Sequence, residues 1–318
     1  MEEPDHPIPS AAPPGRRRIA AGVPLEIVQH PLDRAAGQAL RNAVGFDDLV
    51  RALFEYGVER LERISHLSSA VRVGPQQFPG LYRIYQGCVA RIGVYPEPPL
   101  YLRGGAVNAM TGGVEQPYIV LTSALVSSAS RPELEYVIGH ELGHIRCQHL
   151  LYGTLARLAP LLSSQIPVVG KLVSGGLSLA LMEWYRRAEL SCDRFGMLCV
   201  QELDPALRIH VKLAGAPYAL YDQINVDAFL EQYEEFEALD QDRLSMLYKL
   251  LAQLNMTHPW LVVRAHALKR WWDSGEPMRL LEDAPWEAEE VETERRCGVC
   301  HQVCLATDRF CTACGGAL

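Results

Sequence analysis

Residues 136–149 read YVIGHELGHIRCQH, a stretch whose apolar and polar spacing suits an α-helix. Ser130 and Glu133, just upstream, have the spacing of a capping box, in which each residue satisfies a free backbone N–H at a helix start. We therefore predict a helix that begins at Ser130 and runs to about His149.

The same helix carries an HExxH motif, the pattern in which two histidines can bind one metal ion. His140 and His144 are four residues apart, so their imidazoles share one helix face. Glu141 projects beside that ion, where its carboxylate can take a proton from the water that the metal activates. A buried helix with hydrogen-bonded histidines would explain the pattern without any metal.

A catalytic zinc site needs a third protein ligand, and residues 184–196, WYRRAELSCDRFG, offer one. Glu189 and Asp193 again share a helix face. Glu189 can bind the metal, and Asp193 can accept the second N–H of a ligand histidine and fix its tautomer. Alternatively, both carboxylates lie on a solvated face and pair with neighbouring arginines.

The rest of the chain indicates an α+β fold that is mostly helical, with a small sheet. Helical periodicity appears in residues 45–66 and 80–92, around Leu177–Val200, over 205–255 and in Leu261–Trp272. The short runs Pro98–Leu102 and Tyr118–Thr122 are rich in β-formers and bounded by Gly or Pro, so they predict strands.

Charge and composition exclude some classes of function. The formal net charge of −8 argues against a nucleic-acid binder that works through a general positive field. Residues 1–22 are polar and Pro-rich without the apolar core of a signal peptide, so we expect a disordered tail on a cytoplasmic protein.

The segment Leu150–Met182 is strongly apolar but interrupted by charges, prolines and a Gly–Gly pair, so no transmembrane span is predicted. We interpret it as two buried helices joined at Gln165–Gly170. Peripheral contact with a membrane surface is the alternative.

The C-terminal end of the chain holds a second metal motif. An acidic linker is predicted over residues 282–296, followed by a cysteine-rich tail at 297–318. Two CxxC pairs predict a four-thiolate structural zinc ribbon, formed by Cys297, Cys300, Cys311 and Cys314. Because the segment before the ribbon is acidic, we expect the ribbon to bind a protein partner and not nucleic acid.

Four patches together resemble zinc metallopeptidase family 48, a gluzincin family that includes the CAAX prenyl endopeptidase and the HtpX-like proteases. The resemblance covers roughly residues 45–275. The patches are Asn108-Ala109, the HELGH helix, the pair Glu189 and Asp193, and Thr257-His258-Pro259 with Arg264.

The resemblance implies a zincin-like protease domain, here residues 23–281, that acts on a protein or peptide substrate. His140, His144 and Glu189 would bind the catalytic zinc, with Glu141 as general base. His258 and Arg264 would stabilise the oxyanion, and the Tyr118–Thr122 strand would be the edge that aligns an extended substrate.

The sequence thus predicts a zinc endopeptidase with one catalytic and one structural zinc. The alternative is a binding or adaptor protein built on a protease scaffold, whose ribbon recruits a partner.

Overall fold

The computed structural model describes residues 16–42, 68–162, 177–239, 260–287 and 294–296, with the short or single positions 50, 60, 64, 249, 298–299 and 303–305. Outside these residues lie His258 and the four ribbon cysteines. Of the predicted helix at 45–66, only positions 50, 60 and 64 are described.

Helices dominate the described residues. They are α1 Leu25–Val28, α2 Pro31–Arg41, α3 Pro79–Ile92, α4 Ser123–Ser128, α5 Arg131–Arg146, α6 Leu150–Leu162, α7 Leu177–Val200, α8 Leu203–Leu213, α9 Val226–Ala238, α10 Leu261–Asp273 and α11 Glu276–Leu281, with 3-10 turns at Ala20–Gly22 and Tyr218–Gln223. The strands are β1 Val71–Arg72, β2 Leu100–Arg103, β3 Ala109–Gly112, β4 Tyr118–Thr122, β5 Glu294–Arg296 and β6 Val303–Leu305.

The predicted α+β class, mostly helical with a small sheet, is confirmed. The capping box begins the motif helix α5 as expected, with Glu133 accepting a hydrogen bond of 2.6 Å from the backbone N–H of Ser130. A second contact, from Lys212 Nζ to Glu133 at 2.7 Å, ties this helix start to α8. The sequence therefore fixes where the helix starts, and a long-range ion pair holds that end in place.

The sheet has the strand order β1-β2-β4-β3, in which β2 and β4 are parallel and the outer pairs are antiparallel. The expectation that Tyr118–Thr122 forms an edge is wrong, because β4 is flanked by β2 on one side and β3 on the other. All five residues of β4 are buried, as an apolar run without alternation indicates for a central strand. The edge strands of this sheet are β1 and β3, neither of which was predicted from the sequence.

The apolar core lies where α3, α5 and α7 meet the sheet. Its fully buried members include Tyr85 on α3, Ile138 and Leu142 on α5, and Ile119 and Leu121 on β4. This core fixes the motif helix on one side against the sheet and on the other against α7.

The two segments that were predicted to flank the domain as a disordered tail and an acidic linker pack against it where the structure describes them. Residues 16–22 were expected to be disordered, yet Ala20 is 5% exposed and Ile19 N–H donates to the carbonyl of Pro285 at 2.8 Å. Glu287, in the predicted solvated linker, forms an ion pair of 2.7 Å with buried Arg91. The two segments form hydrogen bonds with each other, and Glu287 pairs with the domain. Composition alone therefore wrongly predicted that they lie in solvent.

The apolar segment Leu150–Met182 begins in α6 and ends in α7, with residues 163–176 outside the described part. Searched across the described residues, no helix combines the length and the apolar character that a bilayer crossing requires.

Candidate metal centre

Three glycines allow α5 and α7 to approach closely. A Cβ on Gly139 would lie 2.3 Å from the Cβ of Cys199, and one on Gly143, inside the HELGH motif, 2.9 Å from the Cβ of Phe195. From the other helix, a Cβ on Gly196 would lie 2.8 Å from the ring of Tyr136. These small residues bring the backbones together, and the ligand-bearing faces of the two helices meet as a result.

The structure brings His140, His144 and Glu189 together. His140 Nε2 lies 3.4 Å from Glu189 Oε2, and His144 Nε2 lies 3.4 Å from Glu189 Oε1. All three residues are buried, and Glu189 is 0% exposed. The side chains of two separate helices therefore converge through the two imidazole nitrogens and the carboxylate with which a metal would be bound.

These residues fit a zinc ion. Ligands at 2.0–2.1 Å on a tetrahedron are separated from one another by about 3.3–3.4 Å, the separation found between the carboxylate and each imidazole. Among the described residues, none donates a well-directed hydrogen bond to either Glu189 oxygen, although Arg264 Nη1 forms an ion pair of 2.7 Å with Oε2. A buried carboxylate with unsatisfied oxygens is suited to a cation.

Asp193 holds one of the two imidazoles in orientation. Its Oδ1 lies 3.0 Å from His140 Nδ1 and accepts a hydrogen bond of 2.8 Å from the hydroxyl of Tyr136. Arg264 donates to both oxygens of Asp193, at 2.8 Å from Nε and 2.6 Å from Nη2. With Nδ1 engaged in this way, His140 presents Nε2 to the metal position.

Electrostatics in this cluster favour positive charge. Burial disfavours the imidazolium of His140, but the hydrogen bond with Asp193 and the adjacent carboxylate of Glu189 outweigh burial and raise its pKa to about 9. Burial raises the pKa of Glu189, but Arg264 and the histidines hold it well below its usual value. A metal ion binds such a site by replacing the proton on the histidine.

Glu141 points toward the sheet, next to the metal-binding face. Its carboxylate accepts a short hydrogen bond from the hydroxyl of Thr111 on β3, and the same hydroxyl lies 3.1 Å from the backbone carbonyl of Glu141. The edge strand and the predicted general base are therefore joined by one side chain. Thr111 was missed in the sequence because nothing in its local pattern distinguishes it.

The two residues assigned to the oxyanion have different outcomes. His258 lies outside the described residues. Arg264 is described and 5% exposed, and its guanidinium donates to Asp193 and contacts Glu189. This placement favours a role in holding the two carboxylates over the oxyanion role that the resemblance implied.

A glutamate and two histidines gathered by a pair of closely packed helices, beside the edge of a small sheet, define a metallopeptidase domain. Comparison with known families agrees: the family "Peptidase family M48" matches residues 75–272, and the chain belongs to it. This confirms the family inferred from the four sequence patches.

Relatives with curated names support a metalloprotease. The chain is 30% identical over 259 residues to "Plastoglobule-localized metallopeptidase 48, chloroplastic" of Arabidopsis thaliana, covering 80% of this chain and 75% of that protein. Two proteins named "Protease HtpX homolog" are also similar. The one from Dictyoglomus thermophilum is 28% identical over 59% of this chain and 61% of its own length. The one from Streptococcus gordonii is 32% identical over 35% of this chain and 39% of its own length. The chain thus spans less than two thirds of either HtpX homologue. No solved structure matches the chain.

Proposed function

We propose that this protein is a zinc-dependent endopeptidase that cleaves protein or peptide substrates. The observation that carries the proposal is the convergence of Glu189 with the Nε2 atoms of His140 and His144, next to a general base, Glu141. Bound zinc supplies a Lewis acid that polarises the scissile carbonyl and acidifies water.

The residues of the chain divide the remaining work. Glu141 takes the proton of the attacking water and returns it to the leaving amine. Asp193 keeps His140 in the tautomer that presents Nε2. Arg264 balances the negative charge of the two buried carboxylates, and Thr111 fixes the Glu141 carboxylate between the metal position and the sheet.

The edge strand β3 is suited to align the substrate. One side of Ala109–Gly112 pairs with β4 in antiparallel register, and Thr111 on this strand contacts the general base. An extended peptide that adds to the other side would form main-chain hydrogen bonds and pass over α5. The substrate-aligning role assigned in the sequence to Tyr118–Thr122 therefore moves to β3.

Proteolysis of unfolded casein tests this function. Glu141→Gln keeps the size of the side chain but removes the base, so we expect turnover to fall by at least about 100-fold with zinc content unchanged. Glu235→Gln changes an exposed carboxylate on α9 and should be fully active. Equal activity of Glu141→Gln and the wild type would refute the mechanism, and full zinc occupancy without turnover on any substrate would favour the adaptor alternative.

For the C-terminal tail we propose a structural zinc on Cys297, Cys300, Cys311 and Cys314, and a role in recruiting a protein partner. The antiparallel pairing of β5 and β6 supports this proposal, because the first CxxC pair stands between these two strands in the sequence. Cys311→Ser should release one zinc equivalent while His140→Ala releases the other. A total of one equivalent in the wild type would contradict the proposal.

A cytoplasmic location remains a prediction, and one of the relatives is named for plastoglobules. Fractionation of cells producing the full chain would test it.

A further inference from the structure

His144 has a second nitrogen that needs a partner. When Nε2, which faces Glu189, binds the proposed zinc, the proton of the neutral ring is on Nδ1, and that proton requires an acceptor inside a buried site. The nearest described acceptor is Nδ1 of His149, at 3.4 Å. His149 can accept there only if its own proton is on Nε2.

Asp33 selects this tautomer of His149. The Nε2 atom of His149 lies 3.0 Å from Asp33 Oδ2, so an ionised Asp33 accepts the proton that Nε2 carries. Burial raises the pKa of Asp33, but hydrogen bonds from His149, Ser191 and Gln29 hold it below its usual value. Each of the two hydrogen bonds that link His144 to His149 and His149 to Asp33 then has one donor and one acceptor.

The N-terminal segment is built to hold Asp33 in this place. Asp33 is 1% exposed and lies in the first turn of α2. Its Oδ2 accepts hydrogen bonds of 2.6 Å from the Ser191 hydroxyl and 2.8 Å from Gln29 Nε2. Ser191 in turn accepts from the backbone N–H of His30 at 2.9 Å, which fastens the start of α2 to α7. This segment precedes residue 75, where the family match begins.

We propose that Asp33 and His149 are positioning residues that fix the metal-binding tautomer of His144, as Asp193 does for His140. One ligand is thus held from α7 and the other from the N-terminal helix α2. The proposal rests on the zinc site of the proposed function.

Two other contacts around His149 are part of the test. Cys192 Sγ lies 3.5 Å from His149 Nδ1, so a thiol can compete for the same nitrogen. Ligand atoms of Asp33, Cys147 and His149 lie within 4.8 Å of one another, close enough to hold an ion of their own. That ion would replace the proton on His149 Nε2 and overturn the proposal.

The experiment measures zinc affinity of the full chain by competition with a chelator. We expect Asp33→Asn and His149→Phe each to weaken zinc binding about 10- to 100-fold. The double variant should lose no more than His149→Phe alone, because Asp33 acts only through His149. Gln38→Ala is the matched control: it truncates an exposed polar side chain on the same helix α2, away from Asp33, and should bind zinc like the wild type.

NMR of ¹⁵N-histidine-labelled, zinc-loaded protein provides a readout independent of affinity. The wild type should show His149 protonated on Nε2 and His144 on Nδ1, and Asp33→Asn should weaken the first of these preferences. Wild-type affinity in both Asp33→Asn and His149→Phe, purely additive losses, or a zinc equivalent lost on Cys147→Ser would each overturn the proposal. A wild type that binds no zinc at its histidines would instead refute the proposed function itself.

Discussion

Replacing Arg264 by Met should reveal how strongly the metal site depends on charge balance. The guanidinium contacts two buried carboxylates, Asp193 at 2.6 Å and Glu189 at 2.7 Å. Removing one partner of a buried ion pair leaves an uncompensated charge and typically costs about 3–5 kcal/mol. For a domain of this size, the metal-free protein should therefore lose about 6–20 °C of Tm.

Zinc should restore much of this loss, because a divalent cation between Glu189 and His140 supplies positive charge that Arg264→Met lacks. The difference in unfolding free energy between wild type and variant should thus be larger in a chelator than in excess zinc. By linkage, the folded variant should bind zinc at least as tightly as the wild type.

The assay is urea unfolding with and without zinc, followed by circular dichroism. Arg208→Met serves as the control, since Arg208 donates only to a backbone carbonyl among its described contacts, that of Tyr221 at 2.8 Å. An equal loss of stability with and without zinc would refute the charge-balance reasoning. Wild-type stability combined with a loss of turnover would instead favour the oxyanion role.

Three further predictions concern packing, pH and the general base. Gly139→Ala should destabilise the fold by about 1–3 kcal/mol through overpacking, measured by thermal unfolding; Gly153→Ala, where a Cβ meets its nearest neighbour at 3.9 Å, should be neutral or stabilising. Glu135 is buried beside an arginine, which outweighs burial and lowers its pKa. The ionised carboxylate of Glu135 therefore stabilises the fold above its usual pKa of about 4.5, and this stabilisation is lost as the pH falls through the lower pKa of the folded state. Glu135→Gln should thus be less stable than the wild type at pH 7, and the difference should vanish in acid. Thr111→Val should lower kcat more than it raises KM, because it frees the carboxylate of Glu141; an unchanged kcat would contradict that positioning role.

Local patterns in the sequence were sufficient for the elements that carry the chemistry. The capping residues Ser130 and Glu133 fix the start of α5, and the helical repeat then places His140 and His144 on one face, whatever the rest of the chain does. The same local rule predicted Glu189 and Asp193 as a pair. These statements need only the spacing along one helix.

Contacts between distant parts of the chain could not be predicted in this way. Asp33 lies 116 residues from His149, and Thr111 lies 30 residues from Glu141. His149 is five residues after His144, a spacing outside the i, i+3 and i, i+4 neighbours of a helix face, so no helical pattern marks it as a partner. Such pairs exist only once α2, α7 and the sheet have packed against α5.

The sequence by itself determined the motif helix and, through four short patches, the family to which the chain belongs, because each patch is a pattern of residues close together in the chain. Tertiary structure alone decided that β4 is a central strand with β3 at an edge, that Arg264 binds carboxylates, and that Asp33 of the N-terminal helix contacts His149 beside His144. The physical reason is that hydrogen bonds and ion pairs in a buried site are selected by packing among separate elements, which a local pattern does not encode.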